Sequence, residues 1–369
     1  MQRLRIIFTV FLVVFGILIV DSIYAQRAVY RPDIRAMGMG NAYTALATGP
    51  SAMSYNPAGL SISGFNLEIL GMQAAVNQRF LNAATFIQDN VDNFSDFENL
   101  SDQEASRFLQ DMDPFDDRYV GLRLGPQVAL TMLNLGFAAY TEFKPDVRLD
   151  KGIYVPRIYT KGYLDAVGAV GYGREISVPG VNSMHAGITA KYVMRYEIEA
   201  IKMNAQDAQD PSGLSQTMLD TLPDPLTGVL FDVGVLSSPA PNLTVGLHIQ
   251  DIGSLGVQEL PMRINIGGAY NVSMLSDLPV LRSAVVAMDI RDAFNSQGTS
   301  LFQRLHFGAE VGLPLLRLRA GLNQGYVTTG FGINLFLLHL DYAYFGQEMG
   351  ASLGWNPEFS HVIQLGVGI

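Results

Sequence analysis

From Met184 to Ile201 the chain changes character at every step. Met184, Ala186, Ile188, Ala190, Tyr192, Met194, Tyr196, Ile198 and Ala200 make up one parity, while His185, Thr189, Lys191, Arg195, Glu197 and Glu199 fall on the other. A period of two sends these sets to opposite faces of an extended strand, which a helix of 3.6 residues per turn cannot do. The same alternation runs through Leu305, Phe307, Ala309, Val311 and Leu313, through Leu316, Leu318, Ala320 and Leu322, and through Ile363, Leu365, Val367 and Ile369. Reading the sequence for such runs bounded by Gly, Pro, Asn and Asp predicts fourteen strands. They lie near 65–76, 122–132, 135–148, 158–175, 184–203, 228–238, 242–251, 261–273, 281–291, 302–313, 315–323, 327–337, 338–345 and 361–369. The gaps between them are alternately long and short, as in a barrel whose two ends face different compartments. The eleventh gap, around Gln324-Gly325-Tyr326, breaks the pattern with a tight turn.

Composition narrows the kind of sheet. Charged residues are 16% of the chain, against about 25% in ordinary soluble domains, and glycine (37 residues), Phe (20) and Tyr (16) are prominent. Beyond residue 25 there is no apolar run of about 18 residues, so no helical membrane span is expected. A transmembrane β-barrel reconciles the two facts, because only every second residue of a strand faces lipid. The predicted fold class is therefore all-β, a transmembrane antiparallel barrel of about fourteen strands, filling 65–369. Two of its long gaps carry expected helical inserts on the outer side. Phe80, Ala83, Ala84 and Ile87 recur at helical spacing in the insert near 77–119, and Leu214, Met218 and Leu219 suit a short amphipathic helix in the one near 205–227.

The first residues give an address. Arg3 and Arg5 precede an apolar run from Ile6 to Val20, and the polar stretch that follows ends in the small residue Ala25. Residues 1–25 read as a cleaved secretory signal peptide, the apolar run being short for the roughly twenty residues of a spanning helix. The absence of cysteine excludes disulfides and thiolate metal sites. Cleavage would remove two of 24 basic residues and one of 34 acidic ones, leaving 22 and 33 and a net charge of −11. That balance argues against a nucleic-acid partner, whose phosphates require clustered Lys and Arg.

Between the signal and the first strand lies a different kind of segment, expected to span 26–64. "RAMGMGNAYTALATGPSAMSYNPAGLS", Arg35 to Ser61, mixes alanines with glycine and proline breaks. Asn56 before Pro57 disfavours helix and favours a turn, so an expected helix Ala42–Ala47 and a second turn around Ser51–Tyr55 must fold back compactly. Arg35, Gly38, Gly40, Asn56, Pro57, Ala58 and Gly59, with Leu60, carry a resemblance to the N-terminal signature of the FadL-like outer-membrane family. Those proteins transport long-chain fatty acids and other hydrophobic compounds, and the family's PorV-type relatives take part in secretion. The resemblance implies a lumen plugged by this segment, with hydrophobic ligand entering from outside and leaving through the wall. It covers the whole mature chain as a pattern but only residues 35–61 as a motif. Cap and gate both remain open as roles for the plug. Ile369 departs from the Phe or Trp that ends many outer-membrane barrels.

Candidate chemistry is sparse. His185, His248, His306, His339 and His361 are scattered without ligand spacing, and Asp111–Asp117 clusters four carboxylates without the order of a calcium loop. "GAVGYG", Gly168–Gly173, is not followed by a helix and reads as a place of close backbone approach. No Gly-x-Ser-x-Gly elbow is present. No catalytic residue, metal or cofactor is therefore expected. Lys191, Arg195, Glu197, Glu199, Arg263, Asp289, Glu310, Arg317, Arg319 and Asp341 fall on the parity away from lipid. Buried charges need partners, so mutual salt bridges bracing plug to wall are one reading of Lys191, Arg195, Arg263, Arg317 and Arg319. Receipt of a ligand carboxylate, by Arg317 or Arg319 foremost, is the other.

Together these readings predict an outer-membrane transporter for small hydrophobic molecules, with long-chain fatty acids as expected cargo and passage controlled by the plug. The alternative is a PorV-like barrel that transports nothing and holds secreted proteins at the surface. Expected partners are outer-membrane lipid, a small hydrophobic ligand and, on the alternative, a surface or periplasmic protein.

Overall fold

The computed structural model describes residues 31–115, 118–151, 157–179, 182–203, 223–256, 258–273, 280–350 and 352–369. The expected signal peptide, most of the 205–227 insert, and Asp116 and Asp117 of the acidic cluster lie outside the described residues.

Fourteen antiparallel strands form one closed sheet. They are β1 Asn66–Asn77, β2 Arg118–Met132, β3 Leu135–Asp150, β4 Arg157–Glu175, β5 Met184–Met203, β6 Leu226–Ala240 and β7 Leu243–Leu255, followed by β8 Arg263–Asn271, β9 Ser283–Ile290, β10 Leu305–Gly312, β11 Leu316–Asn323, β12 Tyr326–Leu335, β13 Leu338–Glu348 and β14 Pro357–Gly368. Each strand pairs with the next in sequence, and β1 pairs with β14 to close the ring. A two-residue strand, Gln258–Glu259, folds back on the end of β7. Fourteen is the number the alternation predicts, and β5 has the predicted ends.

The alternation finds its physical cause at the wall. Met72, Val128, Phe137, Val170, Ile188, Phe231, Leu247, Ile266, Met288, Phe307, Leu318 and Leu365 are exposed on the outer face, where a bilayer would cover them. Phe359 packs against both Tyr326 and Tyr344 towards the long-loop end, and Trp355 of the β13–β14 connection is exposed. His361 shares that outer face, where its Nδ1 meets the Tyr342 hydroxyl at 2.8 Å.

The barrel is uneven in height. Strands β3, β4 and β5 have 16, 19 and 20 residues, whereas β9, β10 and β11 have 8 each. A tilted strand needs about 9–11 residues to cross a bilayer, so the tall wall projects well beyond it. On that side the β1–β2 connection forms α3 Gln78–Asp89, α4 Val91–Ser95 and α5 Asp102–Asp111, numbered after two short helices of the N-terminal segment, α1 Ile34–Gly38 and α2 Ala52–Tyr55. Phe86, Phe94, Phe97, Phe108 and Phe115 make a small aromatic core there and seat it on Leu149 of β3. The opposite end is closed by short turns such as Leu133-Asn134, both with positive φ (52° and 66°). The eleventh connection, Gln324-Gly325, is the predicted tight turn, with φ of 55° and 87°.

The N-terminal segment sits inside the ring, and glycine makes the room. Gly136, Gly171, Gly187, Gly234, Gly267, Gly308 and Gly321 stand on seven strands, each so close to residues 39–60 that an added Cβ would lie under 3.0 Å from them. Stripping one level of the inner wall of side chains lets plug backbone lie against strand backbone. Gly171 and Gly173 come from the "GAVGYG" run, and both face Leu60. Gly168, which points outward, has open space around it.

Candidate functional site

The plug is a chain of short turns held by polar groups. Asp33 caps α1 by accepting the Ala36 N–H at 3.1 Å. The helix ends at once because Gly40 and Asn41 both take left-handed backbone (φ 63° and 64°). This corrects the expected helix at Ala42–Ala47, which is a run of turns in the structure. The alanines do not wind there because Ala42 and Ala45 instead pack against Ala269, Val285 and Ala287 of the wall. The turn expected around Ser51–Tyr55 is α2, and Pro57–Ile62 forms a 3-10 helix.

Each motif residue has a visible job. Arg35 donates two hydrogen bonds to Glu310, from Nε at 2.8 Å and Nη2 at 2.7 Å, and a third to the Tyr43 hydroxyl. Burial, partly offset by Arg35, pushes the Tyr43 phenol up to about 12. Gly38 lies against Arg319 and Gly330, and Gly40 against the Phe307 and Leu322 carbonyls, where a side chain would clash. Asn56 is extended (φ −167°, ψ 103°). Its Oδ1 accepts the Ala58 N–H, while its Nδ2 lies within 2.9–3.4 Å of the carbonyls of Thr44, Val235 and Leu247. Pro57 and Ala58 pack on Gly187, and Gly59 closes on the Ala47 carbonyl.

Further anchors were not evident from the motif. Asp289 Oδ2 accepts the backbone N–H groups of Tyr43 and Thr44, both at 2.8 Å. His306 Nδ1 lies 2.9 Å from the Gly40 carbonyl oxygen and donates to it. Gln73 on β1 holds the Pro32 carbonyl.

Of the five predicted wall cations, four fall into three ion-paired groups and Arg317 stands apart. Arg319 is taken by two carboxylates, Glu310 at 2.8 Å and Asp341 at 2.6 Å. Lys191 is 1% exposed and bridges Asp232 and Asp251, while Arg263 pairs with the second oxygen of Asp251. Arg195 grips Asp165 bidentately. Arg317 makes no ion pair or hydrogen bond among the described residues and lines a cavity of about 430 Å³ between the plug and the short-turn end. Thus the ion-pair partners of Lys191, Arg195, Arg263 and Arg319 are wall carboxylates rather than plug groups, and Arg317 is open to solvent. Among the described residues, no group of three or more His, Cys, Asp or Glu is placed to hold a metal.

The lumen also carries an apolar patch. Tyr140, Val167, Val193, Leu230, Leu255 and Leu260 form one buried cluster on the inner face of the tall wall. Leu255 ends β7 and Leu260 lies in the β7–β8 connection, which turns inward to complete it.

No protein-family model and no curated protein matches the chain. Among solved structures, the toluene transporter TodX of Pseudomonas putida is 11% identical with a TM-score of 0.50, covering 94% of this chain and 99% of that one. The Ralstonia pickettii toluene transporter TbuX is also 11% identical, with a TM-score of 0.45 over 90% of this chain and 97% of its own. At such identity the likeness to TodX is one of fold, and what this chain shares with it is a barrel architecture over nearly its whole length.

Proposed function

We propose that this protein is an outer-membrane barrel that passes small hydrophobic molecules. The observation that carries the reading is the apolar cluster of Tyr140, Val167, Val193, Leu230, Leu255 and Leu260 inside a closed barrel. A water-filled pore has a polar interior, whereas this part of the interior is filled by apolar side chains, the kind of surroundings an apolar solute prefers to water. The fold shared with a protein described as a toluene transporter supports the same reading, and aromatic hydrocarbons and fatty acids both fall within it. The plug then acts as a fixed cap, with the path running beside it, because both sides of the ring hold it, Asp289 and His306 by its backbone and the Val235 carbonyl by the Asn56 side chain.

Flux into vesicles reconstituted with the full chain tests the reading. Uptake of labelled toluene should rise several-fold over protein-free vesicles while glucose uptake does not. Equal acceleration of both solutes, or of neither, would sink it. The cap is tested separately through a disulfide between Ala45→Cys and Ala269→Cys, positions that share one apolar cluster in a chain with no other cysteine. Toluene flux should survive the crosslink, and its loss on oxidation with recovery on reduction would make the plug a gate.

A further inference from the structure

The 430 Å³ cavity at the short-turn end is lined by the plug on one side and by β1 and β11 to β14 on the other. Its acids are already committed. Asp33 accepts from the Ala36 N–H and the Ser51 hydroxyl. Glu68 accepts from Gln127 at 2.7 Å and Gln364 at 2.9 Å, with His339 Nε2 at 3.5 Å. Asp341 holds Arg319.

Two guanidinium groups are left over. Arg31 is only 6% exposed, and its Nη1 and Nη2 are buried with no hydrogen-bond partner. Arg317, on β11, has no ion pair or hydrogen bond among the described residues. Burial lowers the pKa of Arg31 despite the pull of Glu68, Glu142 and Asp33, the direction expected of a desolvated cation short of direct partners. A buried charge with unmet donors is costly, and a guanidinium fork matches the two oxygens of a carboxylate or phosphate.

We propose that this cavity is a binding site for a small oxyanion, a phosphate- or carboxylate-bearing polar molecule, held by Arg31 with Arg317 and contacting plug and wall together. The site is separate from the apolar cluster and does not depend on what crosses the barrel. A cavity of this size lies in the range of small-molecule pockets, roughly 300–1,000 Å³.

Thermal unfolding of the detergent-solubilised full chain tests the proposal, with inorganic phosphate and succinate each compared with chloride at equal ionic strength. Either oxyanion should raise the midpoint, the effective one naming the chemistry, and calorimetric affinity should fall at least tenfold in Arg31→Met and Arg317→Gln. In chloride alone, Arg31→Met should unfold no earlier than the parent, because it removes a buried charge that lacks partners. That result also shows that the variant folds. A midpoint no higher in either oxyanion than in chloride, or a rise that persists in the double variant, would overturn the proposal.

Discussion

The two walls of the barrel hold the same plug by different physics. The short wall, β9 to β13, reaches it with formal charge and charge-assisted hydrogen bonds: Glu310 to Arg35, and Asp289 to the Tyr43 and Thr44 amides. The tall wall, β3 to β7, keeps its charges to itself in the Lys191–Asp232–Asp251 and Arg195–Asp165 clusters. It meets the plug with glycine, carbonyl oxygens, a side-chain hydrogen bond between His185 and the Ser61 hydroxyl, and shape. The N-terminal half of the plug is therefore placed by electrostatics, which fixes position and direction, in addition to its close contacts with Gly308 and Gly321. Its C-terminal half, Met53 to Ser61, is placed by close packing, which tolerates no added volume. Separating the two functions lets the tall wall support its own projecting height without depending on the plug.

The sharpest way to break the comparison is Lys191→Met. It leaves Asp232 without its lysine and Asp251 with Arg263 alone, both carboxylates being essentially inaccessible, and should cost about 3–5 kcal/mol of barrel stability. Thermal unfolding reads the loss, while maleimide labelling of Ala45→Cys in the plug should stay slow. Fast labelling would show that the tall-wall charges do hold the plug. Glu310→Gln should cost less, about 3 kcal/mol, because the Arg35 side chain is a quarter exposed and Asp341 still serves Arg319. Here Ala45→Cys labelling should accelerate, and unchanged labelling would remove charge as the anchor.

Shape gives the next effects. Gly187→Ala puts a Cβ 2.2 Å from the Pro57 carbonyl oxygen and should lower stability by about 1–3 kcal/mol. Gly168→Ala, facing outward with nothing within 4 Å, should change it by less than about 0.5 kcal/mol. Similar midpoints for these two variants would refute the glycine belt as the seat of the plug. Asn56→Ala, which removes a cap and three carbonyl contacts, should cost about 1–2 kcal/mol. A loss well above that range would mean that Asn56 organises the fold of the segment rather than its seating.

Much of the wall was legible because alternation reports directly which face meets lipid. β5, with its greasy and charged parities, fell between the same residues in sequence and structure. The Glu310–Arg319 pair was legible too in principle, since the two stand opposite each other across the β10–β11 hairpin, and reflection about the turn would have matched them. Arg195 and Asp165 are likewise register partners. The plug was harder to read. Alanine propensity pointed to helix at Ala42–Ala47, but propensity is a weak preference of tenths of a kcal/mol per residue, and packing on Ala269 and Ala287 outweighed it.

The sequence by itself determined a closed sheet of fourteen strands, its lipid face and the presence of a small-residue segment before it, because these follow from local periodicity and turn chemistry. The tertiary structure alone decided which charges meet and which are left over. Lys191 finds Asp251 two strands away, and Arg31 ends buried beside acids already engaged elsewhere. A sequence records the sign of each charge, but only the closing of the ring and the seating of the plug set the distances on which pairing depends.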